Sequence, residues 1–115
     1  MKDKSAPSEA WQREYQGLCS RLAHLGYISQ GSVLDRSTLR PPRYGYHWTR
    51  KVAQTTVTLA LTPEQFALLS QAVDNYRRLR QTLRQMEKLS RKIIFKNAPH
   101  PRRRKRLSDK VLGVN

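Results

Sequence analysis

Arg77, Arg80, Arg84, Lys88 and Arg91 recur at intervals of three, four, four and three residues, in a stretch free of Gly and Pro. At 3.6 residues per turn, a helix carrying them holds all five within a sector of about 80°. Cationic groups aligned in this way suit a run of phosphates. Each donates to anionic oxygens, and each pairing releases condensed counterion. A solvated helix face ordinarily mixes signs, because like charges at i and i+4 repel. Only Glu87 dilutes this one. The stripe reads as a polyanion contact in preference to a coat for solubility.

The wider charge distribution points the same way. The 115-residue chain carries a net charge of +15, with a pI of about 11.0. Positions 77–106 hold thirteen Lys or Arg against a single acid. Such a field attracts polyanions at long range. Arg102, Arg103, Arg104, Lys105 and Arg106 are consecutive; self-repulsion predicts disorder when free. The run has the form of a nuclear import signal, if the host is eukaryotic, or of an arm that orders along a groove. Arg50 and Lys51 lie near the tip of an expected hairpin and add two candidates for groove contact. An anionic membrane fits less well, because the apolar side of the basic stretch has no Trp or Phe before Phe95.

Other chemistries find little support. The acids are Asp3, Glu9, Glu14, Asp35, Glu64, Asp74, Glu87 and Asp109, and none forms a pair suited to general acid–base work or Mg²⁺ binding. Five scattered glycines make no phosphate loop. His24, His47 and His100 are isolated, without metal-ligand spacing. Cys19 is the sole cysteine, which excludes an internal disulfide and fits a reducing compartment. No apolar run approaches the roughly 20 residues of a membrane span, and the first residues lead into no signal core. The expectation is a soluble, cytoplasmic, non-enzymatic protein with no cofactor and no metal.

The elements that must position the cations are legible in part. Ser8 reads as an N-cap, and Trp11, Tyr15, Leu18, Leu22 and Leu25 then mark one face of a helix that Gly26 ends. Val33-Leu34-Asp35-Arg36 is a weak strand, and Pro41-Pro42 halts regular structure. Tyr44, Tyr46 and Trp48 alternate with His47 and Thr49, and Val57, Leu59 and Leu61 alternate with Thr56, Thr58 and Ala60. A two-residue turn at Ala53-Gln54 would set Trp48 opposite Leu59 and Tyr46 opposite Leu61, each pair contributing roughly 0.2–1 kcal/mol. Ala-Gln suits a primed turn poorly, however, and favours a longer loop. Thr62-Pro63-Glu64-Gln65 is a capping box with Pro at the first helical position. Helical spacing then runs from Phe66 to about Phe95, a rod of roughly 50 Å. Its distal part must pack on the first helix, pair with another chain or project toward a partner. Trp11, Tyr15, Tyr46 and Trp48 read as core, not as base-stacking platforms; Tyr27 and Tyr44 are less constrained.

The segments Leu25-Gly26-Tyr27-Ile28, Gly31-Ser32-Val33, Tyr44-Gly45-Tyr46-His47-Trp48-Thr49-Arg50-Lys51-Val52, Thr56-Val57-Thr58, Leu61-Thr62-Pro63-Glu64-Gln65 and Asn75-Tyr76-Arg77-Arg78-Leu79 occur in that order. Over roughly residues 21–95 this resembles a family of small uncharacterised bacterial proteins encoded beside transposase genes and mobile elements. Members often carry Asn-Gly at the hairpin tip and Gly-Pro before the aromatic strand, where this chain has Ala53-Gln54 and Pro42-Arg43. The resemblance implies an association with mobile DNA, a bacterial cytoplasm and an RNA- or DNA-guided machine. It supplies no activity.

These readings combine into an α+β protein. Residues 1–7 form a flexible N-terminus, 8–97 one small domain with a protruding long helix, and 98–115 a basic disordered tail. The expected role is that of an accessory nucleic-acid-binding protein of a mobile-element system, nucleoid-associated if DNA is the partner. The expected partners are DNA or RNA, a transposase or other mobile-element protein, and a second copy of the chain. The alternatives are an oligomerisation module whose long helix packs on a protein, and an RNA-binding subunit of a ribonucleoprotein.

Overall fold

Thr62 and Gln65 start the longest element through a reciprocal pair of bonds. The Gln65 backbone N–H donates to Thr62 Oγ1 at 3.1 Å, and the Thr62 N–H donates to Gln65 Oε1 at 2.9 Å. Two donors that a helix start leaves orphaned are thereby satisfied, and Pro63 occupies the first position, where no N–H is needed. The helix continues to Asn97, 35 residues in all.

The structure is a computed structural model that describes residues 6–98, 101 and 107–115. In chain order the elements are α1 (Ala6–Leu22), β1 (Ser32–Asp35), a 3₁₀ turn (Arg36–Thr38), β2 (Tyr46–Val52), β3 (Thr55–Leu61), α2 (Pro63–Asn97) and α3 (Asp109–Leu112). The fold is α+β, with one antiparallel sheet ordered β1-β2-β3. The chain divides into two compact units: Leu25–Leu79, and Met1–His24 with Arg80–Asn115.

In the unit Leu25–Leu79, β2 and β3 pair with Trp48 opposite Leu59 and Tyr46 opposite Leu61, the register that a two-residue turn demands. That turn forms. Ala53 and Gln54 take φ of 50° and 67°, the left-handed pair of a type I′ hairpin, so the longer loop is not found. In-register alternation along two seven-residue strands outweighs the turn's poor chemistry. The first half of α2 lies against the face carrying Tyr46 and Trp48. Tyr46 stacks on Phe66 with ring centroids 4.4 Å apart, and Ala72 and Val73 are buried.

The segment between α1 and β1 is tied to this unit by polar bonds. Asn75 Nδ2 donates to the Tyr27 carbonyl at 2.9 Å, the Ser29 N–H to the Ala72 carbonyl at 3.1 Å, and Trp48 Nε1 to the Gln30 carbonyl at 3.0 Å. Gly31 sits at φ 106°, where a Cβ would meet Trp48 Nε1 at 2.5 Å; only glycine fits.

In the other unit, α1 and the distal part of α2 run antiparallel. Asn97 Nδ2 donates to Ser8 Oγ at 3.2 Å, and the Lys92 ammonium lies 5.6 Å from the Trp11 ring centroid. Leu18 and Leu89 are buried. Of the three fates open to the distal helix, packing on α1 is the one observed.

Several boundaries differ from expectation. Helix α1 begins at Ala6, before Ser8, because Pro7 needs no N–H in a first turn. Ser8 is therefore no cap but a buried hydroxyl bonded to Asn97. The helix ends at Leu22, short of Gly26, where His24 Nδ1 meets the Ser20 carbonyl at 2.9 Å. Strand β1 spans Ser32–Asp35, since the Asp35 carboxylate accepts from the Ser37 N–H and turns Arg36 into the 3₁₀ turn. Strand β2 starts at Tyr46; Tyr44 precedes it with 94% of its surface exposed. Within the segment expected to be disordered, residues 107–115 contain α3, capped by Ser108 Oγ on the Val111 N–H and closed by Gly113 at φ 73°. Ser-Asp at the start and Gly at the end make a complete helix from one turn. The arm Arg102–Arg106 and the first five residues lie outside the described residues.

Two substitutions test these local devices. Thr62→Ala removes one side of the capping box and should lower stability by about 1 kcal/mol in a denaturant titration. Gln54→Gly relieves a non-glycine residue in the left-handed region and should raise stability by about 1 kcal/mol, read as a higher thermal midpoint.

Candidate nucleic-acid interface

Buried residues of α2 fix which way its cations face. In the unit that contains Arg80–Asn115, Thr82 and Leu89 are buried, and Met86 and Ile93 are half-buried. These four fall within about 60° of one another at 100° per residue. Arg80, Arg84, Lys88 and Arg91 fall on the opposite side of the helix, and all four are exposed. The stripe is therefore a consequence of phase: packing Leu89 inward turns Arg84 and Lys88 outward.

The members of the stripe are not equivalent. The Arg91 guanidinium lies 3.6 Å from Glu87 Oε1 and donates to the Gly113 carbonyl at 3.3 Å. Gly113 also packs on its stem, since a Cβ there would meet Arg91 Cδ at 2.7 Å. Arg91 is thus a hinge pin for the C-terminal turn as well as a stripe residue. Arg84 and Lys88, one helical turn apart, form the open centre. Lys92, off the stripe, is half-buried and engaged with Trp11.

The unit Leu25–Leu79 carries its own cations. Arg77 is exposed and lies 3.7 Å from Asp74 in an i,i+3 pair. Such an exposed pair contributes little to stability and leaves the guanidinium available. Arg50 stands on the same sheet face as Tyr46 and Trp48, with its guanidinium carbon 4.3 Å from the Trp48 ring centroid. Stacking on indole preorganises it without neutralising it. Lys51, on the opposite face, is exposed.

A further basic segment escapes a reading based on helical spacing. Between Asp35 and β2 the chain carries Arg36, Arg40 and Arg43. Arg36 closes this loop, bonding through its N–H to the Gly45 carbonyl at 3.0 Å, through its carbonyl to the Arg43 N–H at 3.0 Å, and through Nη1 to the Tyr44 carbonyl at 3.2 Å. Arg40, Arg43 and Tyr44 are left exposed. The signal was present in composition: positions 36–51 hold five cations and no acid.

Among the described residues no three His, Cys, Asp or Glu come together as a metal site, and no helix is long and apolar enough to cross a membrane. No family model, curated protein or solved structure matches this chain, so its function must be argued from its own residues.

Proposed function

We propose that this protein binds nucleic acid through phosphate contacts made by the outward face of α2, with Arg80, Arg84, Lys88 and Arg91 gripping successive phosphates. One observation carries the reading: the cations face directly away from the buried line of Thr82 and Leu89, so the same helical phase that packs the unit presents them together. The unit Leu25–Leu79 offers donors of its own in Arg77, Arg50 and Lys51 and in the loop cations Arg40 and Arg43. The arm Arg102–Arg106 would add contacts in the same chemistry. Such contacts position a protein on a backbone and carry no sequence information themselves. The role is accessory, non-catalytic binding, and the mobile-element association that the resemblance implies would make DNA or RNA of such an element the ligand.

Salt dependence tests the proposal. Affinity for a DNA duplex should fall linearly on a log–log plot against salt. Neutralising Arg80, Arg84 and Lys88 together to Ala should reduce that slope by about 2.7, at about 0.9 for each lost phosphate contact. Circular dichroism should stay unchanged, because all three side chains are exposed. Failure of both a duplex and a structured RNA to bind at low salt would rule the proposal out.

A further inference from the structure

Strand β3 is the outer strand of its sheet, so one side of its backbone has no strand beside it among the described residues. Folded proteins ordinarily protect such an edge by keeping it short, or by placing Lys, Pro or a bulge on it. β3 has none of these. It reads Thr-Thr-Val-Thr-Leu-Ala-Leu, pairs residue for residue with β2 over its seven positions, and is exposed from Thr55 to Ala60.

The surface next to this edge is apolar. A cleft of about 370 Å³ is lined by Leu59 and Leu61 of β3, Leu68 of α2, Tyr27, Ile28 and Trp48. Leu59 is 52% exposed and Leu68 60%. Clustered leucines at a free strand edge mark a contact surface, whereas scattered ones would not.

Charge selects the occupant. Positions 52–76 contain no Lys, Arg or His and only two acids, Glu64 and Asp74, in a chain of net charge +15. The nearest cations in the sheet, Arg50 and Lys51, stand on β2 opposite Val57 and Thr56, across the paired side of β3, so the free edge itself carries no cation to hold a nucleic acid or an acidic peptide. A second copy brings an equally uncharged strand, and so avoids setting cation against cation at the contact.

We propose that β3 pairs antiparallel with β3 of a second copy, joining two three-stranded sheets into one of six strands. The centred register puts Thr58 on the two-fold axis, Val57 opposite Leu59 of the second copy, and Thr55 opposite Leu61. In this register residues of like parity meet, so the apolar faces of both sheets lie on one side; a slip of one residue would set apolar against polar faces. Val57 and Leu59 of the two copies then close over the exposed leucines. This proposal is independent of the nucleic-acid reading.

Site-directed crosslinking in the full chain tests it, in a Cys19→Ser background treated with nuclease and held at high salt. Residues directly opposite in an antiparallel pair have Cα atoms about 4.5–5.5 Å apart, within disulfide reach. Mild oxidation should therefore convert Thr58→Cys into a covalent dimer. Thr56→Cys should remain monomeric on reducing-agent-free gels, because its two copies would lie about 14 Å apart along the strand. Sedimentation of the unmodified chain should show a dimer at micromolar concentration, and Leu59→Lys should shift it to monomer with an unchanged circular dichroism spectrum. Should Leu59→Lys fail to fold, the cysteine pair still decides. A monomer throughout the micromolar range, or equal crosslinking at positions 56 and 58, would overturn the proposal.

Discussion

Everything in this chain depends on the phase of α2. Its 35 residues supply Phe66, Ala72 and Val73 to one unit and Thr82 and Leu89 to the other, without a Gly or Pro to reset the helix between them. A one-residue shift of phase in the distal part would swing Leu89 away by about 100° and bring Lys88 or Ser90 toward α1 in its place. The start of the helix is fixed by Thr62 and Gln65.

The buried core that this phase organises is small. The buried hydrophobic residues among those described are Leu18, Ala72, Val73 and Leu89, while Leu59, Leu68, Ile94 and Tyr27 are exposed. A chain of this size buries a modest share of its surface, and its stability leans on specific polar ties more than a large domain's would. That explains the weight carried by single bonds such as Asn75 to Tyr27, Trp48 to Gln30 and Asn97 to Ser8.

The parts legible in the sequence were those with a strong period or a complete local motif. Alternation from Tyr46 to Leu61 marked the two strands and their common face, though the chemistry of Ala53-Gln54 argued against the turn that sets their register, and the Thr62–Gln65 box was readable residue by residue. What escaped had its cause elsewhere in the chain. Gly26 looked like a helix terminator, yet its neighbourhood is set by Asn75, whose amide lies 3.2 Å from where a Cβ would stand. Ser8 looked like a cap, yet its hydroxyl is claimed by Asn97. The C-terminal turn was hidden by the arginines before it, although Ser108, Asp109 and Gly113 hold its caps. Of the candidate site, helical spacing identified the stripe but not the tether between Arg91 and Gly113, which no spacing rule contains. The loop cations were missed because a non-periodic segment offers no face on which to line them up.

Charge in this protein is partitioned as sharply as apolarity, and the two partitions do not coincide. Cations occupy 36–51 and 77–106, and the intervening stretch has none. If charge served only to keep the chain soluble, the exposed leucines of that stretch would be where it was needed most. Instead Leu59 and Leu68 stand without a cation near them in sequence, and the arginines gather on a helix face whose opposite side is already packed. Such a distribution is costly for an isolated chain, since it leaves like charges close together in one place and apolar surface open in another. On the two proposals made above, a polyanion would offset the repulsion among the arginines and an uncharged strand would cover β3.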